Sequence, residues 1–501
     1  MSDRFRVLPV LEQRRIRPRS FAAHFAEKYA RPLRKGLLFA ALEGPRATLR
    51  KRRSKLVERS IEADQHIVLA ALRGADGEQL IGLTRDLGAP LRFERALLFA
   101  VDGIADPSRV TLSPHALELA ESYLPVPECP VPHDLAHEIL AANSWLRASA
   151  AFGHPAGAAA SERGAGAGAG ARTGVYLVGM GGYVREYVLP HFRSAVRMGV
   201  DHKAGLIRRH AAPRFPVVAD FELLLAAVAA EAAPLVIIAS YHSAHARQAL
   251  AVLDANPRAR VFIEKPVCVD AAEATALVAR RRDGAWIDVG YNRRYAPLAL
   301  RLAAEAERVP RPWTLTALVQ ELRLPSAHWY GWSTQGTRVT GNGCHWLDLF
   351  QWLHGGRASR VRVSGTDARF SIGVEYEDGS VATLVASEDG DAAAGVQESI
   401  ELRGAGATLR LDDFRSLRVE RRGRRRTQRA RLRDKGHAAM YADLRARWLS
   451  GGPPRYPLED IERVARLTAA AAALLDADAE PSQPRTASAR HAPVERVAAL
   501  S

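Results

Sequence analysis

The chain has 501 residues, of which 47% are hydrophobic and 25% charged, as expected of a globular protein with two or three domains. No stretch of about 18 uncharged apolar residues exists, and the first residues lack the apolar core of a signal peptide, so neither a membrane span nor export is predicted. Cys129, Cys268 and Cys344 show no metal-like spacing and no disulfide framework, which favours a reducing, cytoplasmic location and predicts no metal site.

Residues 1–60 carry most of the net charge of +16, with 17 Lys and Arg against 5 Asp and Glu. A helix predicted over Arg46–Ala63, after Gly44-Pro45, holds many of these basic residues. Three interpretations stay open for residues 1–60: a solvated arm, attachment to an anionic membrane surface at the inner membrane face, or binding of an acidic polymer. Nucleic acid is disfavoured because no nucleic-acid-binding fold is visible.

The rest of the first 150 residues is weakly patterned. Strands are predicted at Ile67–Leu72, Leu80–Leu83 and Ala96–Val101, followed by a helix at Asp134–Ser149. We therefore expect a basic α/β region of unknown role over residues 1–150. Glycine and alanine then dominate, which predicts a linker over residues 151–172.

From residue 173 onward, predicted strands and helices alternate. The strands are Val175–Val178, Lys203–Ile207, Leu235–Ala239, Val261–Ile263 and Trp286–Tyr291. The helices between them are Tyr183–Val196, Asp220–Ala232, Ala244–Ala255 and Ala271–Arg282. This βαβ order predicts a Rossmann-type, doubly wound parallel sheet over residues 173–297.

The pattern changes after Pro297. A strand at Trp313–Leu322 and a helix near Asn342–Leu353 precede several alternating strands between Val361 and Val419. Helices are predicted at Gly436–Trp448 and Leu458–Asp476. This order predicts an α+β domain over residues 298–477 with a largely antiparallel open sheet, followed by a disordered tail over 478–501.

The first strand of the alternating region runs into a glycine-rich turn that predicts dinucleotide binding. Glycine at 179 permits a tight turn, glycine at 181 lets the backbone approach a pyrophosphate, and the following helix offers free N–H groups. Val184 stands where a third glycine is usual. The predicted cofactor-binding residues here are Gly179, Gly181, Gly182, Tyr183 and Val184. The alternative is a glycine turn that merely packs strand on helix.

The end of the second predicted strand bears on the choice of cofactor. Lys203–Ile207 ends in Arg208-Arg209, and arginine at this place suits the 2′-phosphate of NADP in charge and geometry. Asp201, which precedes this strand, is interpreted as a turn residue. The sequence therefore favours NADP over NAD, unless the two arginines are solvated.

Two further strand ends carry polar residues. A small polar turn from Ser240 to His245 follows the third strand, where cofactors commonly lie. The fourth strand ends in Glu264-Lys265-Pro266, and a lysine at the carboxyl edge of a parallel sheet can contact both a cofactor and a substrate. Taken alone, His245 reads as a capping histidine and Lys265 as a solvated charge.

These motifs together resemble the glucose-fructose oxidoreductase / inositol dehydrogenase (Gfo/Idh/MocA) family over about residues 173–475. The remaining motifs that carry the resemblance are Gly290-Tyr291-Asn292-Arg293-Arg294-Tyr295 and His345-Trp346-Leu347-Asp348. The resemblance implies a Rossmann domain followed by a domain whose open sheet often mediates homo-oligomerisation. It also implies contacts to NAD or NADP from Ser240, Tyr241, His245, Glu264, Lys265, Pro266 and Asn292.

The resemblance assigns Lys265 to the nicotinamide and the substrate hydroxyl, and His345 to general acid/base catalysis. Asp348, one helical turn further, is expected to orient His345. Family members often carry an acid four residues before this histidine, but Gly341 stands there in this chain. Asn342 is the candidate substitute, and the alternative for His345 is a packed or capping histidine.

Residues upstream of this helix are candidates for substrate contacts. Trp329 and Tyr330 offer aromatic faces for a sugar ring or a nucleobase, and Arg338 suits a phosphate or a carboxylate. A packed lid or a subunit contact is the alternative for this stretch.

These expectations combine into one leading function. The chain is predicted to be an NAD(P)-dependent oxidoreductase acting on a secondary alcohol or ketone of a sugar or nucleotide-sugar, with a role in cell-surface polysaccharide synthesis. The main alternative is a cofactor-binding scaffold or sensor tethered to a membrane surface, in which Gly341 reflects lost chemistry. A third interpretation is transient oxidation during elimination or hydrolysis of a glycoside.

Overall fold

A computed structural model of the chain describes residues 6–9, 31–64, 68–74, 79–84, 97–104, 174–201, 204–323, 335–391, 395–476 and 496–499. The predicted helix Asp134–Ser149, the predicted linker at 151–172, and Trp329 and Tyr330 lie outside these ranges. Within the described ranges, no helix combines the length and the hydropathy needed to cross a bilayer.

The N-terminal region contains two helices and a small sheet. Its elements are β1 (Arg6–Pro9), α1 (Arg31–Glu43), α2 (Pro45–Asp64), β2 (Val68–Gly74), β3 (Gln79–Thr84) and β4 (Leu97–Ile104). Gly44 adopts a φ of +90° between the two helices, a conformation that favours glycine. The sheet order is β1-β4-β2-β3. Helix α2 and strands β2 to β4 confirm the predicted helix and the three predicted strands.

The second region is a six-stranded sheet in which all strands are parallel. The strands are β5 (Val175–Val178), β6 (Val196–Val200), β7 (Val217–Val218), β8 (Leu235–Ile238), β9 (Arg260–Glu264) and β10 (Trp286–Gly290), in the order β10-β9-β8-β5-β6-β7. The helices are α3 (Leu189–Phe192, after a π-helical turn at Val184–Val188), α4 (Ala204–Ala211), α5 (Phe221–Ala229), α6 (His245–Ala255) and α7 (Ala271–Arg282). The doubly wound parallel sheet is confirmed.

The second strand of this sheet differs from the prediction. Of the predicted strand Lys203–Ile207, the described residues 204–207 lie in helix α4 and not in a strand. The strand is β6, whose ends Val196 and Val200 are 8% and 5% exposed in the core. The helix before it ends at Phe192, and the short turn that follows contains no glycine or proline. Asp201, and not Arg208, therefore directly follows the second strand.

The third region is built on a nine-stranded sheet. Its strands are β11 (Thr314–Gln320), β12 (Ala358–Thr366), β13 (Arg369–Tyr376), β14 (Val381–Ser387), β15 (Gln397–Gly404), β16 (Ala407–Asp412), β17 (Ser416–Arg421), β18 (Arg424–Arg429) and β19 (Arg496–Ala499). The order is β18-β17-β16-β15-β11-β14-β13-β12-β19, and β11 with β14 is its parallel pair. The largely antiparallel sheet is confirmed. Strand β19 lies in the segment expected to be a disordered tail, which corrects that prediction at residues 496–499.

The helices of this region connect the two large sheets. They are α8 (Pro297–Ala306), α9 (Cys344–His354), α10 (His437–Ser450) and α11 (Leu458–Asp476). Tyr441 and Trp448 of α10 pack on one face of the parallel sheet. Ile461 and Val464 of α11 pack on its other face. The last helices of the chain thus return to the parallel sheet and hold the two regions together.

One edge of the nine-stranded sheet is strongly basic. Residues 415–435 contain 11 Arg and Lys against 2 Asp and Glu, and every residue of edge strand β18 is exposed. The expectation that the basic character belongs to the N-terminal residues is therefore incomplete. Charged side chains on an edge strand hinder its pairing with another chain.

Candidate active site

The glycine-rich turn after β5 has the geometry that a dinucleotide requires. Gly179 adopts a φ of +85°, and a Cβ atom at this position would clash with the Ala239 carbonyl group. Around Gly181, apart from its chain neighbours, no atom of the described residues lies within 4 Å of the place a Cβ would take, so the backbone is open to a ligand. Val184 is 1% exposed and packs into the core at the position of the usual third glycine. The turn therefore fits a pyrophosphate group.

An acidic side chain lies at the end of the second strand. The Asp201 carboxylate accepts a hydrogen bond from the Met180 N–H at 2.8 Å, which holds it against the glycine-rich turn. Dinucleotide-binding folds place an acid about 20 residues beyond the first glycine to bind the ribose 2′-hydroxyl group. Arg208 lies in helix α4 and donates a hydrogen bond to the Val217 carbonyl oxygen. The side chain of Arg209 is not among those that the structure describes. The predicted strand end at Arg208-Arg209, on which the prediction of NADP rested, is therefore wrong, and Asp201, interpreted as a turn residue, follows the second strand.

Lys265 follows β9 at the carboxyl edge of the parallel sheet. Its ammonium group donates a hydrogen bond to the Gly341 carbonyl oxygen at 2.9 Å. Gly341 lies four residues, or one helical turn, before His345. The contact thus brings the lysine and the histidine, predicted from distant motifs, to the same side of one site.

His345 is the second residue of α9 and is 8% exposed. Its Nδ1 atom has no hydrogen-bond partner among the residues that the structure describes. Burial, together with the positive charges of Arg293 and Lys265, holds the pKa of His345 well below its ordinary value. The imidazole is therefore neutral near pH 7, and a neutral imidazole is the form that accepts a proton.

The expected role of Asp348 is corrected by its contacts. Its carboxylate is fully buried and accepts hydrogen bonds from Arg294 Nη2 and the Tyr456 hydroxyl, both at 2.6 Å. Arg294 also pairs with Asp460 at 2.8 Å. Asp348 shares a helical face with His345, but its charge is neutralised by Arg294. It anchors helix α9 and does not orient the histidine.

A different carboxylate compensates for the missing acid at Gly341. Glu321, immediately after β11, is 4% exposed and accepts hydrogen bonds from Asn342 at 2.7 Å and Arg338 at 3.1 Å. Arg338 also donates to Glu388 at 2.6 Å. Burial raises the pKa of Glu321, while Asn342, Arg338 and Lys265 act against this. Arg338 and Asn342, predicted to bind substrate, thus hold an acid that the sequence analysis missed.

Several residues predicted to bind the cofactor make hydrogen bonds that connect loops. The two ring nitrogens of His245 lie 2.7 Å from the Pro266 carbonyl and 3.2 Å from the Ser240 carbonyl, and burial lowers its pKa to about 4. The Ser240 hydroxyl donates to Gln248, and the Asn292 amide donates to the Lys435 carbonyl at 2.7 Å. Tyr241 is partly buried in the turn after β8. These side chains fix the shape of the turns beside Lys265.

Glu264, the last residue of β9, is 4% exposed. Its carboxyl group accepts hydrogen bonds from the Tyr183 hydroxyl at 3.1 Å and from the Tyr441 hydroxyl. Gly290 makes room for it, because a Cβ atom there would lie 2.7 Å from a Glu264 oxygen. Burial raises the pKa of Glu264 to about 7. Tyr183 and Glu264 were both predicted to bind the cofactor. Tyr183 directly follows the glycine-rich turn, so its hydrogen bond to Glu264 ties this turn to the end of β9.

His437 is a further residue of this site that had no sequence signal. It begins α10, and its ring stacks on Tyr187 with a centroid distance of 4.3 Å. Burial and the Arg293 guanidinium lower its pKa to about 3, so it is neutral. Among the described residues, no group of three His, Cys, Asp or Glu side chains could hold a metal ion.

This geometry defines a class of protein with two parts. A dinucleotide-binding domain is joined to a second domain that supplies a histidine and a buried acid. Residues 174–290 match the model of the oxidoreductase family Gfo/Idh/MocA with an NAD-binding Rossmann fold. This part of the chain belongs to that family, as the motifs indicated. No curated protein matches the chain in sequence.

Solved structures share the fold across both large domains. GenD2 from gentamicin A biosynthesis, solved in complex with NAD, is 21% identical over 66% of this chain and 97% of its own, with a TM-score of 0.51. An oxidoreductase domain protein from Kribbella flavida is 19% identical over 61% and 97%, with a TM-score of 0.52. UDP-N-acetylglucosamine 3-dehydrogenase GnnA from Acidithiobacillus ferrooxidans is 20% identical over 60% and 97%, with a TM-score of 0.51.

Glu264 titrates near neutrality only in the folded state. We therefore predict that this residue makes the free energy of unfolding depend on pH. Its folded pKa of about 7 exceeds the ordinary value of 4.5, so the folded state retains a proton that the unfolded state has lost. Stability should therefore fall as pH rises from about 4.5 to 7, by up to about 3 kcal/mol. Glu264→Gln should remove this component from the thermal unfolding midpoint measured across the range. Glu307→Gln, an exposed matched variant, should keep it, and identical pH profiles for wild type and Glu264→Gln would contradict the prediction.

Proposed function

We propose that the protein is an NAD(P)-dependent oxidoreductase acting on a secondary alcohol or ketone of a sugar or nucleotide-sugar. The observation that carries this proposal is the hydrogen bond between Lys265 and the Gly341 carbonyl, one helical turn from a neutral His345. The open backbone at Gly181 and the acid at Asp201 fit the two ends of a dinucleotide. When bound, the nicotinamide supplies the hydride acceptor or donor.

The side chains divide the proton chemistry between them. His345, neutral and with a free ring nitrogen among the described residues, takes the proton of the substrate hydroxyl. The Lys265 ammonium binds the same oxygen and stabilises the negative charge that develops on it. Protonated His345 stands near Arg293 and Lys265, so it is a strong acid and releases its proton readily. In the reverse direction, the same two groups supply a proton to the carbonyl oxygen.

Glu321 provides the polar setting for this pair. The positive charge of Lys265 acts to lower the pKa of this buried carboxyl group, and Asn342 and Arg338 donate hydrogen bonds to it. A negative charge here favours the charged form of the lysine. The scaffold alternative rested on the missing acid at Gly341, and it loses that support because a neighbouring strand supplies a carboxylate.

The sugar or nucleotide-sugar class rests on the chemistry of the site and on one neighbour of similar fold. The site combines a proton acceptor, a lysine and buried amide and carboxylate groups, which suit a polyhydroxylated substrate. GnnA is a dehydrogenase of UDP-N-acetylglucosamine. Arg338 is neutralised by Glu321 and Glu388, so we do not assign it to a substrate phosphate. The role in polysaccharide synthesis stays a prediction.

We infer that NAD, and not NADP, is the preferred cofactor. Asp201 follows the second strand beside the turn, where its carboxylate would accept a hydrogen bond from the ribose 2′-hydroxyl group. The same carboxylate would repel a 2′-phosphate. Arg208 is directed to the backbone of Val217.

We also propose that the protein self-associates through the outer face of the nine-stranded sheet. Leu318 of β11 lies opposite Val385 of β14 in register, and these side chains are 53% and 42% exposed. Val381 adds a third apolar side chain that is 39% exposed. Contact of residues 1–60 with an anionic membrane surface stays a prediction, supported by the exposed basic side chains Arg46, Arg50, Arg52, Arg53 and Lys55 of α2.

The proposed chemistry predicts that Lys265→Ala and His345→Ala each lower turnover about 100-fold or more, because each removes a proton-handling or charge-stabilising group. A panel of sugars and nucleotide-sugars with NAD and NADP, followed by the absorbance of the reduced nicotinamide, measures this. Both variants should still bind NADH, and Arg301→Ala, on the exposed side of α8, should match the wild type. Dinucleotide binding by the wild type without turnover of any sugar would instead favour the scaffold.

For the cofactor, we predict that Asp201→Asn weakens NADH binding about tenfold, because it removes a charged hydrogen-bond acceptor. The same variant should bind NADPH as tightly as the wild type does, or more tightly. Fluorescence titration of the full chain with both dinucleotides gives the two dissociation constants. Arg208→Ala should leave their ratio unchanged, and a wild type that prefers NADPH and loses it in Arg208→Ala would refute the inference.

For self-association, we predict that Leu318→Glu lowers the molar mass measured by light scattering to that of a monomer. A charge at this exposed apolar position would be desolvated in a sheet-to-sheet contact. Leu223→Glu, a control on helix α5 with 52% exposure, should leave the mass unchanged. A wild-type protein that is already monomeric at all concentrations would show the proposal to be wrong.

A further inference from the structure

Helix α2 of the N-terminal region lies directly on the glycine-rich turn. The Ser54 hydroxyl donates a hydrogen bond to the Gly182 carbonyl oxygen at 3.1 Å, and Ser54 is only 6% exposed. Val57 packs against the apolar cluster on this face of the parallel sheet. A segment more than 120 residues upstream in sequence therefore forms one wall of the dinucleotide site.

Glu58 occupies the place of the side chain that Gly182 lacks. A Cβ atom at Gly182 would lie 3.1 and 3.4 Å from the two carboxylate oxygens of Glu58. Ser54 and Glu58 are four residues apart, so both project from the same face of α2 toward the turn. The fourth position of the glycine-rich turn thus receives an acidic group from another part of the chain.

The charges around the turn are unequal. Arg185 donates to the Met180 carbonyl at 2.7 Å, immediately beside the N–H group that binds Asp201. Burial lowers the pKa of Arg185, and the Glu58 and Asp201 carboxylates oppose this effect, Glu58 more strongly. Two carboxylates therefore face one guanidinium at the corner where the adenosine ribose would lie. Among these three side chains, negative charge exceeds positive charge by one.

The position of α2 is fixed by a second, independent contact. Arg433, with a side chain 3% exposed, donates from Nη2 and Nε to the Glu43 carboxylate at 2.8 and 3.1 Å. Its backbone N–H donates to the Leu42 carbonyl oxygen at 2.6 Å. The end of α1 is thus attached to the segment before α10, and Gly44 directs the chain from there into α2. Arg433 thus fixes the start of α2, while Ser54 and Val57 fix the part of α2 that carries Glu58.

We propose that Glu58 is a selectivity residue for the cofactor, which adds a second negative charge beside Asp201 and disfavours the 2′-phosphate of NADP. The proposal rests on the proposed function in one respect, namely that a dinucleotide binds at this turn with its ribose at Asp201. Both dinucleotides carry the same pyrophosphate, whereas only NADP carries a 2′-phosphate with close to two negative charges. Repulsion from Glu58 therefore acts mainly on NADP.

The test compares NADH and NADPH dissociation constants of the full chain by fluorescence titration at low ionic strength, where charge effects are least screened. Glu58→Gln keeps the size of the side chain and removes its charge. It should tighten NADPH binding by about three- to tenfold and change NADH binding less than about twofold. Glu58→Asp should restore the wild-type ratio. Arg52→Gln, exposed on the same helix, is the control and should leave the ratio unchanged.

A second variant tests the placement of the helix separately from its charge. Glu43→Gln weakens the attachment of α1 to Arg433 and should shift the ratio in the same direction as Glu58→Gln, by a smaller factor. An unchanged ratio in Glu58→Gln, with NADH still bound, would overturn the role of Glu58 and leave the proposed function intact. Equal tightening of NADH and NADPH would also overturn it, because the charge would then act on the pyrophosphate. A wild type that binds neither dinucleotide would contradict the proposed function itself.

Discussion

The buried ion pair between Arg294 and Asp348 is the contact on which the arrangement of the site depends. Arg294 follows the last strand of the parallel sheet, and through Asp348 and Asp460 it holds helices α9 and α11. Although burial opposes its charge, the Asp348 carboxylate raises the pKa of Arg294, so the guanidinium stays protonated. Loss of one partner of a buried pair generally costs about 3–5 kcal/mol, since the other charge is left desolvated. The same pair fixes helix α9, and with it the position of His345 beside Lys265.

Around this anchor, positive charge is concentrated on one side of the histidine. Arg293 lies over the Trp346 ring at 4.7 Å and pairs with the buried Glu398, which Lys435 also contacts at 3.0 Å. Against the effect of burial, Arg293 and Lys435 hold the pKa of Glu398 at about 2, so this carboxylate remains charged. Arg293 and Lys435 are both among the positive charges that lower the pKa of His345. Burial and these charges together keep His345 in the neutral form that proton acceptance requires.

The sequence predicted the elements whose patterns are local. The buried strand Val175–Val178 and helix Leu458–Asp476 have the predicted bounds. The strand is a short apolar run that ends at a glycine turn, and the helix has a long apolar periodicity. Strand β6 was missed because its five residues follow a helix without a glycine or proline between them, and a short apolar run fits either structure. That one error displaced the strand end from Asp201 to Arg208, and with it the residue on which the prediction of NADP rested. Glu321 and Glu58 could not be predicted, since their partners are distant in sequence and no local pattern marks them.

The contact between Arg433 and Glu43 joins groups 390 residues apart. This separation has a consequence for folding during synthesis on the ribosome. During synthesis, helices α1 and α2 emerge long before the segment that anchors them. Contacts of large sequence separation form late, because the intervening chain must first be ordered. The surroundings of the glycine-rich turn therefore form in two stages. The turn forms first within the parallel-sheet domain, and helix α2 is anchored beside it once the segment with Arg433 has been synthesised. On the proposed role of Glu58, a nascent chain whose parallel sheet is already folded would therefore differ from the finished protein in its preference between the two dinucleotides.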